Sequence, residues 1–296
     1  MLAQQLLNGI TQGGTYALIA IGYTLIFGVL EIINMAHGEV FMVGAMAGYA
    51  LAMLLGWGLV PALLGGMLAA GLLGAVLEFT ALRALRRKGV SNLTPLISTI
   101  GLGMVIQNVM IRVAGAEPLS LRVPMSTGVL RLGPVQVTVT QLVVLGVSLV
   151  LMLALQWTLS RTSLGRAVRA VSENPETAAL LGVNVSGVIF ATVVLASALG
   201  GAAGVLVGVS FVSVSAVMGL GYGLKGLAVI ILGGLGNVQG AVAGGLLIGV
   251  IEALTVAYGG AYSGYKDAVA FGFLFLFLIL RPQGLFGQHH ALARRS

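Results

Sequence analysis

Long apolar runs, separated by only short polar segments, fill this chain from one terminus to the other. A helix needs about 20 mostly apolar residues to cross the hydrocarbon layer of a bilayer. Charged residues make up 8% of the chain, whereas a soluble domain carries about 25%. No hydrophilic stretch is long enough for a soluble domain. We therefore predict an all-α fold, a polytopic transmembrane helical bundle in which residues 1–296 form a single domain.

The apolar runs divide into about eight or nine membrane segments. One of them, 218–235, contains Lys225 and several glycines, and it either crosses the membrane fully or dips in and returns. The predicted segments are 6–30, 40–55, 59–82, 93–113, 141–159, 188–209, 218–235, 240–258 and 267–280.

The basic residues indicate the orientation, because Lys and Arg in short loops favour the cytoplasmic side. We place three basic clusters there, which puts the loop 112–136 and the N-terminus outside. Prolines and an alternating Val, Gln and Thr stretch predict that this outer loop is structured. The clusters are Arg83, Arg86, Arg87 and Lys88; Arg161, Arg166 and Arg169; and Arg281, Arg294 and Arg295.

Several classes of function are excluded by missing residue types. The chain has no cysteine, which rules out disulfides, thiol catalysis and zinc–thiolate sites. Of its three histidines, His37 stands alone and His289 and His290 lie in the polar tail, so no metal site is predicted. No glycine-rich loop ends in Lys followed by Ser or Thr, the pattern that cradles a nucleotide phosphate. We predict no catalytic residues and no cofactor in this chain.

The stretch 32–39 places polar residues between two apolar runs. Asn34, His37 and Glu39 are costly to bury in lipid and are rarely placed there without a role. They indicate either a broken helix that faces protein or water, lining or bracing a pathway, or a short loop at the membrane surface.

Further polar residues lie inside the predicted spans. Ser98, Thr99 and Gln107, on the fourth span, are candidates to line a pathway, although a Ser or Thr hydroxyl often bonds a carbonyl of its own helix. Lys225 and Glu252 are intramembrane charges that either pair with each other or contact a solute.

Residues 161–187 form a basic loop that reads as two short helices. The first covers about 164–171. The second has Asn174 as its N-cap, Pro175 at its first helical position, and Gly182 where a helix end favours positive φ. A short capped helix of this kind suits a groove on another protein, or rests on the membrane surface.

Small residues recur at every fourth position, which places them on one helix face. Gly44 and Gly48 form one pair, and Gly200, Gly204 and Gly208 form a longer row. We expect them to allow close packing within the bundle rather than to form a dimer interface.

Three passages, which together extend over nearly the whole chain, resemble the permease subunits of ATP-binding-cassette importers. The family is that of the branched-chain amino acid permeases, with the LivH-type subunit as the nearest match. The passages are 6–28 leading into Ile-Asn-Met-Ala-His-Gly-Glu at 33–39; Gly-Arg-Ala-Val-Arg-Ala at 165–170 with the helix 174–184; and Leu-Gly-Gly-Leu-Gly-Asn-Val-Gln-Gly-Ala at 232–241 with Arg-Pro-Gln-Gly-Leu-Phe-Gly at 281–287.

The resemblance implies a permease in the inner (plasma) membrane of a prokaryote, with a cytoplasmic C-terminus. Its partners would be a second, LivM-type permease subunit, two ATP-binding subunits that use ATP and Mg, and an external solute-binding protein. By the same resemblance the loop 161–187 couples the permease to the ATPases. The residues expected to carry the coupling are Gly165, Arg166, Arg169, Ala170, Glu173, Ala179 and Gly182.

Two alternatives stay open. Urea, amide and organic-acid permeases of the same family share the first passage, and branched-chain amino acids are only the family default. An ion-coupled secondary transporter would also be a bundle with a broken helix, but the few carboxylates within the spans argue against it.

Overall fold

A computed structural model describes residues 2–87, 93–123, 128–132 and 135–287. Within these ranges, eight helices are long and apolar enough to cross a membrane, and a shorter apolar helix covers Met218–Gly233. This confirms the predicted helical membrane bundle. Lys88, His289, His290, Arg294 and Arg295, which the sequence placed in basic or polar segments, lie outside the described residues.

The helix boundaries follow the predicted spans within a few residues. A π-helical turn at Ala50–Leu54 extends the helix His37–Tyr49, another at Glu78–Leu82 joins Leu59–Leu77 to Arg83–Arg87, and a 3-10 turn at Gly260–Tyr265 precedes Lys266–Leu280. In chain order the elements are α1 (Leu2–Leu30), α2 (His37–Tyr49), α3 (Leu59–Leu77), α4 (Arg83–Arg87), α5 (Leu93–Ala114), β1 (Val129–Leu132), β2 (Val135–Thr138), α6 (Val139–Arg161), α7 (Ser163–Glu173), α8 (Pro175–Leu180), α9 (Val185–Phe211), α10 (Met218–Gly233), α11 (Val238–Tyr258) and α12 (Lys266–Leu280).

The bundle has two ends, which we name by what they carry. At the hairpin end, the antiparallel pair β1–β2 meets the start of α1, where the Gln4 side chain donates to the Gln136 carbonyl at 2.8 Å. At the α7–α8 end, Leu30 and Glu31 line a cleft with residues 171–176. The described part of the loop 112–136 thus contains a strand pair, as an expected structured loop would, and it lies with the start of α1 at the end opposite α7 and α8.

The segment around α10 crosses the bundle in two parts. Residues 212–217 leave α9 at the hairpin end, where Val214 pairs with Leu119. The 16 residues of α10 then reach the other end, where Gly233 packs on Gly240 at the start of α11. Because 16 residues extend only about 24 Å as a helix, the non-helical stretch completes a crossing that α10 alone is too short to make.

Small residues allow the helices to pack closely in the core of the bundle. Helix α1 packs most extensively on α11, and α9 packs on α1, α2 and α3. A side chain at Gly245 would place its Cβ 2.6 Å from the Ala17 backbone nitrogen, and one at Gly201 would lie 2.5 Å from the Gly66 carbonyl oxygen. The row Gly200, Gly204 and Gly208 also faces neighbours inside the bundle, which supports packing as its role.

Candidate functional site

The corner between α6 and α7 is fixed by backbone contacts. Thr162 caps α7 by accepting a hydrogen bond from the Gly165 backbone N–H at 3.2 Å. Gly165 packs so closely that a Cβ there would lie 2.6 Å from the Leu159 Cα. The Arg169 guanidinium donates to the Leu159 carbonyl at the end of α6. Arg169 therefore stabilises this corner, and the partner contact that the family resemblance implies for it stays a prediction.

Helix α8 has both of its predicted ends. The Asn174 side chain accepts a hydrogen bond from the Thr177 N–H at 2.8 Å, and Pro175 occupies the first helical turn. Gly182 has a φ of +85°, and its N–H donates to the Ala179 carbonyl at 3.0 Å. Such capping supplies partners for the backbone groups that a short helix leaves unpaired.

Two leucines are exposed at the end of α8. Ala178 is buried against the bundle, whereas Leu180 and Leu181 are 89% and 79% exposed. The sequence shows these two leucines as part of an apolar helix, but neither is among the predicted coupling residues, because their exposure depends on which face of α8 rests on the bundle. Of the predicted coupling residues, Gly165 is buried and Ala170 half-buried, while Arg166, Arg169, Glu173, Ala179 and Gly182 are exposed.

Between α1 and α2 the chain is broken inside the bundle. Asn34 is 2% exposed, His37 is 0% exposed and Glu39 is 5% exposed, so these residues do not form a loop at the membrane surface. The Asn34 side chain accepts from the Ala36 N–H at 3.1 Å. The Met35 N–H donates to the Thr99 hydroxyl, also at 3.1 Å.

Polar side chains are concentrated where the break meets α9 and α10. The His37 ring packs edge-on against Tyr23, with ring centroids 4.6 Å apart, and lies beside Gly200. The Glu39 carboxylate lies against Gly219 in the first turn of α10. Among the residues that the structure describes, Glu39 Oε2 has no hydrogen-bond partner. Because an unpaired buried polar group is costly, water is expected to reach the Glu39 carboxylate.

The three predicted residues of α5 do not form one cluster. The Thr99 hydroxyl donates to the Pro95 carbonyl of its own helix at 2.9 Å. It also accepts the hydrogen bond from Met35 in the break between α1 and α2. Ser98 and Gln107, both half-buried, are nine residues apart and therefore lie on opposite faces of α5. Their spacing along the helix thus separates residues that are predicted together as candidates to line a pathway.

The predicted pair Lys225–Glu252 is part of a larger charge network. Lys225 Nζ lies 3.0 Å from Glu252 Oε1 and 2.8 Å from Asp267 Oδ1. Glu252 Oε2 accepts from the Tyr16 hydroxyl at 2.7 Å and from the Gln12 amide at 2.8 Å. The network therefore joins α1, α10, α11 and α12 at a point where each charge has a partner. Asp267 was missed as a partner of Lys225, because 42 residues of sequence separate the two.

A cleft of about 480 Å³ at the hairpin end leads toward this network. It lies between α1, the start of α6 and the end of α9, and extends along α1 from Asn8 to Thr15, a distance of about 10 Å. Its lining offers neutral amides and hydroxyls, and Gln12 belongs to both the cleft and the charge network. The cleft was not predicted, since three distant segments form it.

Comparison with known proteins gives a consistent result. Residues 5–278 match the family described as "Branched-chain amino acid transport system / permease component". The chain is 38% identical to the high-affinity branched-chain amino acid transport system permease protein BraD of Pseudomonas aeruginosa, over 96% of this chain and 95% of that protein. It is 37% identical to the corresponding permease protein LivH of Escherichia coli, with the same coverage.

A more distant relative extends the comparison. The chain is 27% identical to the probable branched-chain amino acid transport permease protein LivH of Methanocaldococcus jannaschii, over 91% of this chain and 88% of that protein. No solved structure matches the chain.

Proposed function

Because the chain belongs to the family of branched-chain amino acid transport permease components, we propose that it forms part of the membrane pathway of an ATP-binding-cassette importer for branched-chain amino acids. Residues 1–296 act as one permease domain in the inner membrane of a prokaryote. The α7–α8 end and the C-terminus face the cytoplasm, and the hairpin end faces outward.

The exposed face of α8 is the observation that carries this proposal. A rigid, doubly capped helix presents Leu180 and Leu181 to its surroundings at the end of the molecule that also carries Arg166 and Arg169. Burying a leucine side chain contributes about 1.5–3 kcal/mol, so a partner with a matching apolar cleft gains from contact here. That partner is an ATP-binding subunit, which supplies the ATP and Mg chemistry that this chain has no loop to hold.

The solute follows a path along the polar features of the bundle. An external binding protein delivers it at the hairpin end, and a second, LivM-type permease subunit completes the pathway. Closure of the two ATPases moves α7 and α8, and the two broken crossings, at 31–36 and at 212–217, allow the bundle to change between two states. A change of state requires contacts that differ between the states, and docking at α8 supplies them.

Co-purification tests the partner interaction. The tagged chain is extracted from its native membrane in mild detergent, and every protein that accompanies it is identified by mass. We expect ATP-binding subunits to accompany the unmodified chain and to be lost from Leu180→Asp, because the charge prevents apolar docking. Leu54→Asp is the matched control. Leu54 is also an exposed leucine, at 72%, but it lies in the π-helical turn after α2 and not in α7 or α8.

Uptake distinguishes the candidate solutes. ATP-dependent uptake of labelled leucine into vesicles that contain the assembled complex is expected, with isoleucine and valine as competitors. Competition by urea, amides or organic acids instead would point to another branch of the family. Uptake by this chain alone under an ion gradient, without ATP, would contradict the proposal in favour of a secondary transporter.

A further inference from the structure

A groove on the outer surface of the bundle joins an apolar channel to a cationic cavity. The channel, of about 400 Å³, lies between α3 and α9. Its floor is made of small residues, Gly71, Ala75 and Ala198, and leucines of α3 form its wall. A second cavity, of about 300 Å³, adjoins it at the α7–α8 end, and Phe190 lines both.

The second cavity carries an excess of positive charge. Glu78 and Arg86 form a bidentate ion pair, with N–O distances of 2.5 and 3.1 Å, so their charges cancel. Arg83 lies over the Phe79 ring at 5.8 Å. Among the described residues, no carboxylate pairs with Arg83. The cavity thus has one uncompensated positive charge, with Asn184 and Ser186 as neutral hydrogen-bonding groups beside it.

The dimensions fit a single lipid molecule. Fifteen residues, or about 22 Å of helix, separate Leu68 in the apolar channel from Arg83. One leaflet, from headgroup to chain end, measures about half of the 40–45 Å bilayer thickness. Arg83 also lies 24 residues, or about 36 Å, from Leu59 at the opposite end of the same span, which puts it beyond the roughly 30 Å hydrocarbon layer.

We propose that the groove between α3 and α9 binds an anionic phospholipid, with an acyl chain in the channel and the headgroup phosphate against Arg83. The π-helical turn Glu78–Leu82 separates the two parts, and Phe79 and Phe190, whose ring centroids are 5.3 Å apart, lie at the boundary. Charge favours this occupant over the apolar face of another protein subunit, because such a face would leave Arg83 without a counter-ion at headgroup depth.

Native mass spectrometry of the full-length chain, purified with its accompanying subunits, tests the headgroup contact. Equal amounts of phosphatidylglycerol and phosphatidylcholine are offered after delipidation. We expect preferential retention of phosphatidylglycerol and about fivefold weaker retention by Arg83→Gln, since one cationic side chain contributes about 1 kcal/mol. Arg281→Gln, an exposed arginine after α12, is the control and should retain it.

A second pair of variants tests the channel. A Cβ at position 71 would lie at ordinary contact distance, 3.7 Å, from Val194, so the side chain of Gly71→Leu starts in the channel without a clash at its Cβ. We expect it to weaken retention of both lipids. Gly146→Leu, on α6, where no atom lies within 4 Å of the added Cβ, should leave retention unchanged.

Crosslinking identifies the occupant directly. The chain has no cysteine, so Leu68→Cys labelled with benzophenone maleimide carries a single photoreactive group in the channel. A lipid adduct supports the proposal. An adduct with another protein subunit, or equal retention of the two lipids by the unmodified chain, would overturn it.

Discussion

Lys225 is the residue on which the charge network between α1, α10, α11 and α12 depends. It is the cation that faces both Glu252 and Asp267, and Glu252 is fully buried whereas the Asp267 side chain is 53% exposed. Removing one partner of a buried ion pair leaves an uncompensated charge, which costs much more than the pair itself contributes.

Lys225→Met is therefore expected to lower the free energy of unfolding by about 3–5 kcal/mol. Thermal unfolding in detergent, followed by the loss of soluble, monodisperse protein, measures the change. The double variant Lys225→Met, Glu252→Gln removes both charges and should recover part of the lost stability. Equal stability of the single and double variants would contradict this explanation, because it would show that the loss of stability does not come from an uncompensated charge on Glu252.

The glycines between α1 and α11 allow the backbones of the two helices to approach each other closely. Gly245→Ala places a methyl group 2.6 Å from the Ala17 nitrogen, and separating two packed backbones costs about 1–3 kcal/mol. Gly146→Ala is the control, since the added methyl meets no atom and alanine favours the helix. We expect thermal stability to fall in the first variant and to stay equal or rise in the second.

Among the elements, α8 follows most directly from its sequence. Asn174, Pro175 and Gly182 lie within nine residues of one another, and local rules for helix ends place all three correctly. The long spans were equally predictable, because hydropathy acts over a continuous stretch. The exposure of Leu180 was not predicted, because it depends on which face of α8 rests on the bundle.

The cap of α8 leads to a prediction for this element. Asn174→Ala removes the acceptor for the Thr177 N–H and should cost about 1 kcal/mol of helix stability. Hydrogen exchange of the backbone amides in 175–182 should become faster, while exchange in α7 stays unchanged. Asn174→Asp keeps a side-chain acceptor and serves as the control, so faster exchange in that variant as well would rule out the cap as the cause.

At the scale of the whole molecule, the sequence predicted the composition of each end and the pair Lys225–Glu252, but not the other contacts between distant segments. The basic residues Arg83 and Arg161 do lie at the same end, as the rule for short loops requires. The polar cleft, the charge network and the α3–α9 groove each combine segments far apart in the chain. Periodicity and motif spacing carry no information on such pairs, and so these sites needed the three-dimensional arrangement.

The absence of cysteine allows a direct test of the orientation. Single cysteines at Ser163 and at Val129, both exposed, mark the two ends of the bundle. In right-side-out vesicles, a maleimide that does not cross membranes should label Val129→Cys and leave Ser163→Cys unlabelled. Inverted vesicles should give the reverse pattern, and labelling of Ser163→Cys in right-side-out vesicles would contradict the proposed orientation.

The packing of α1 on α11 also determines when, during synthesis, this protein is able to complete its folding. The ribosome makes α1 first, yet Gln12 and Tyr16 find their acceptor, Glu252, only after about 240 further residues have been added. Until then these polar side chains have no Glu252 in the bilayer, and the glycine face of α1 has no α11 to cover it. Final folding therefore waits for α11, and chains that stop before it are expected to be recognised and degraded by membrane quality control.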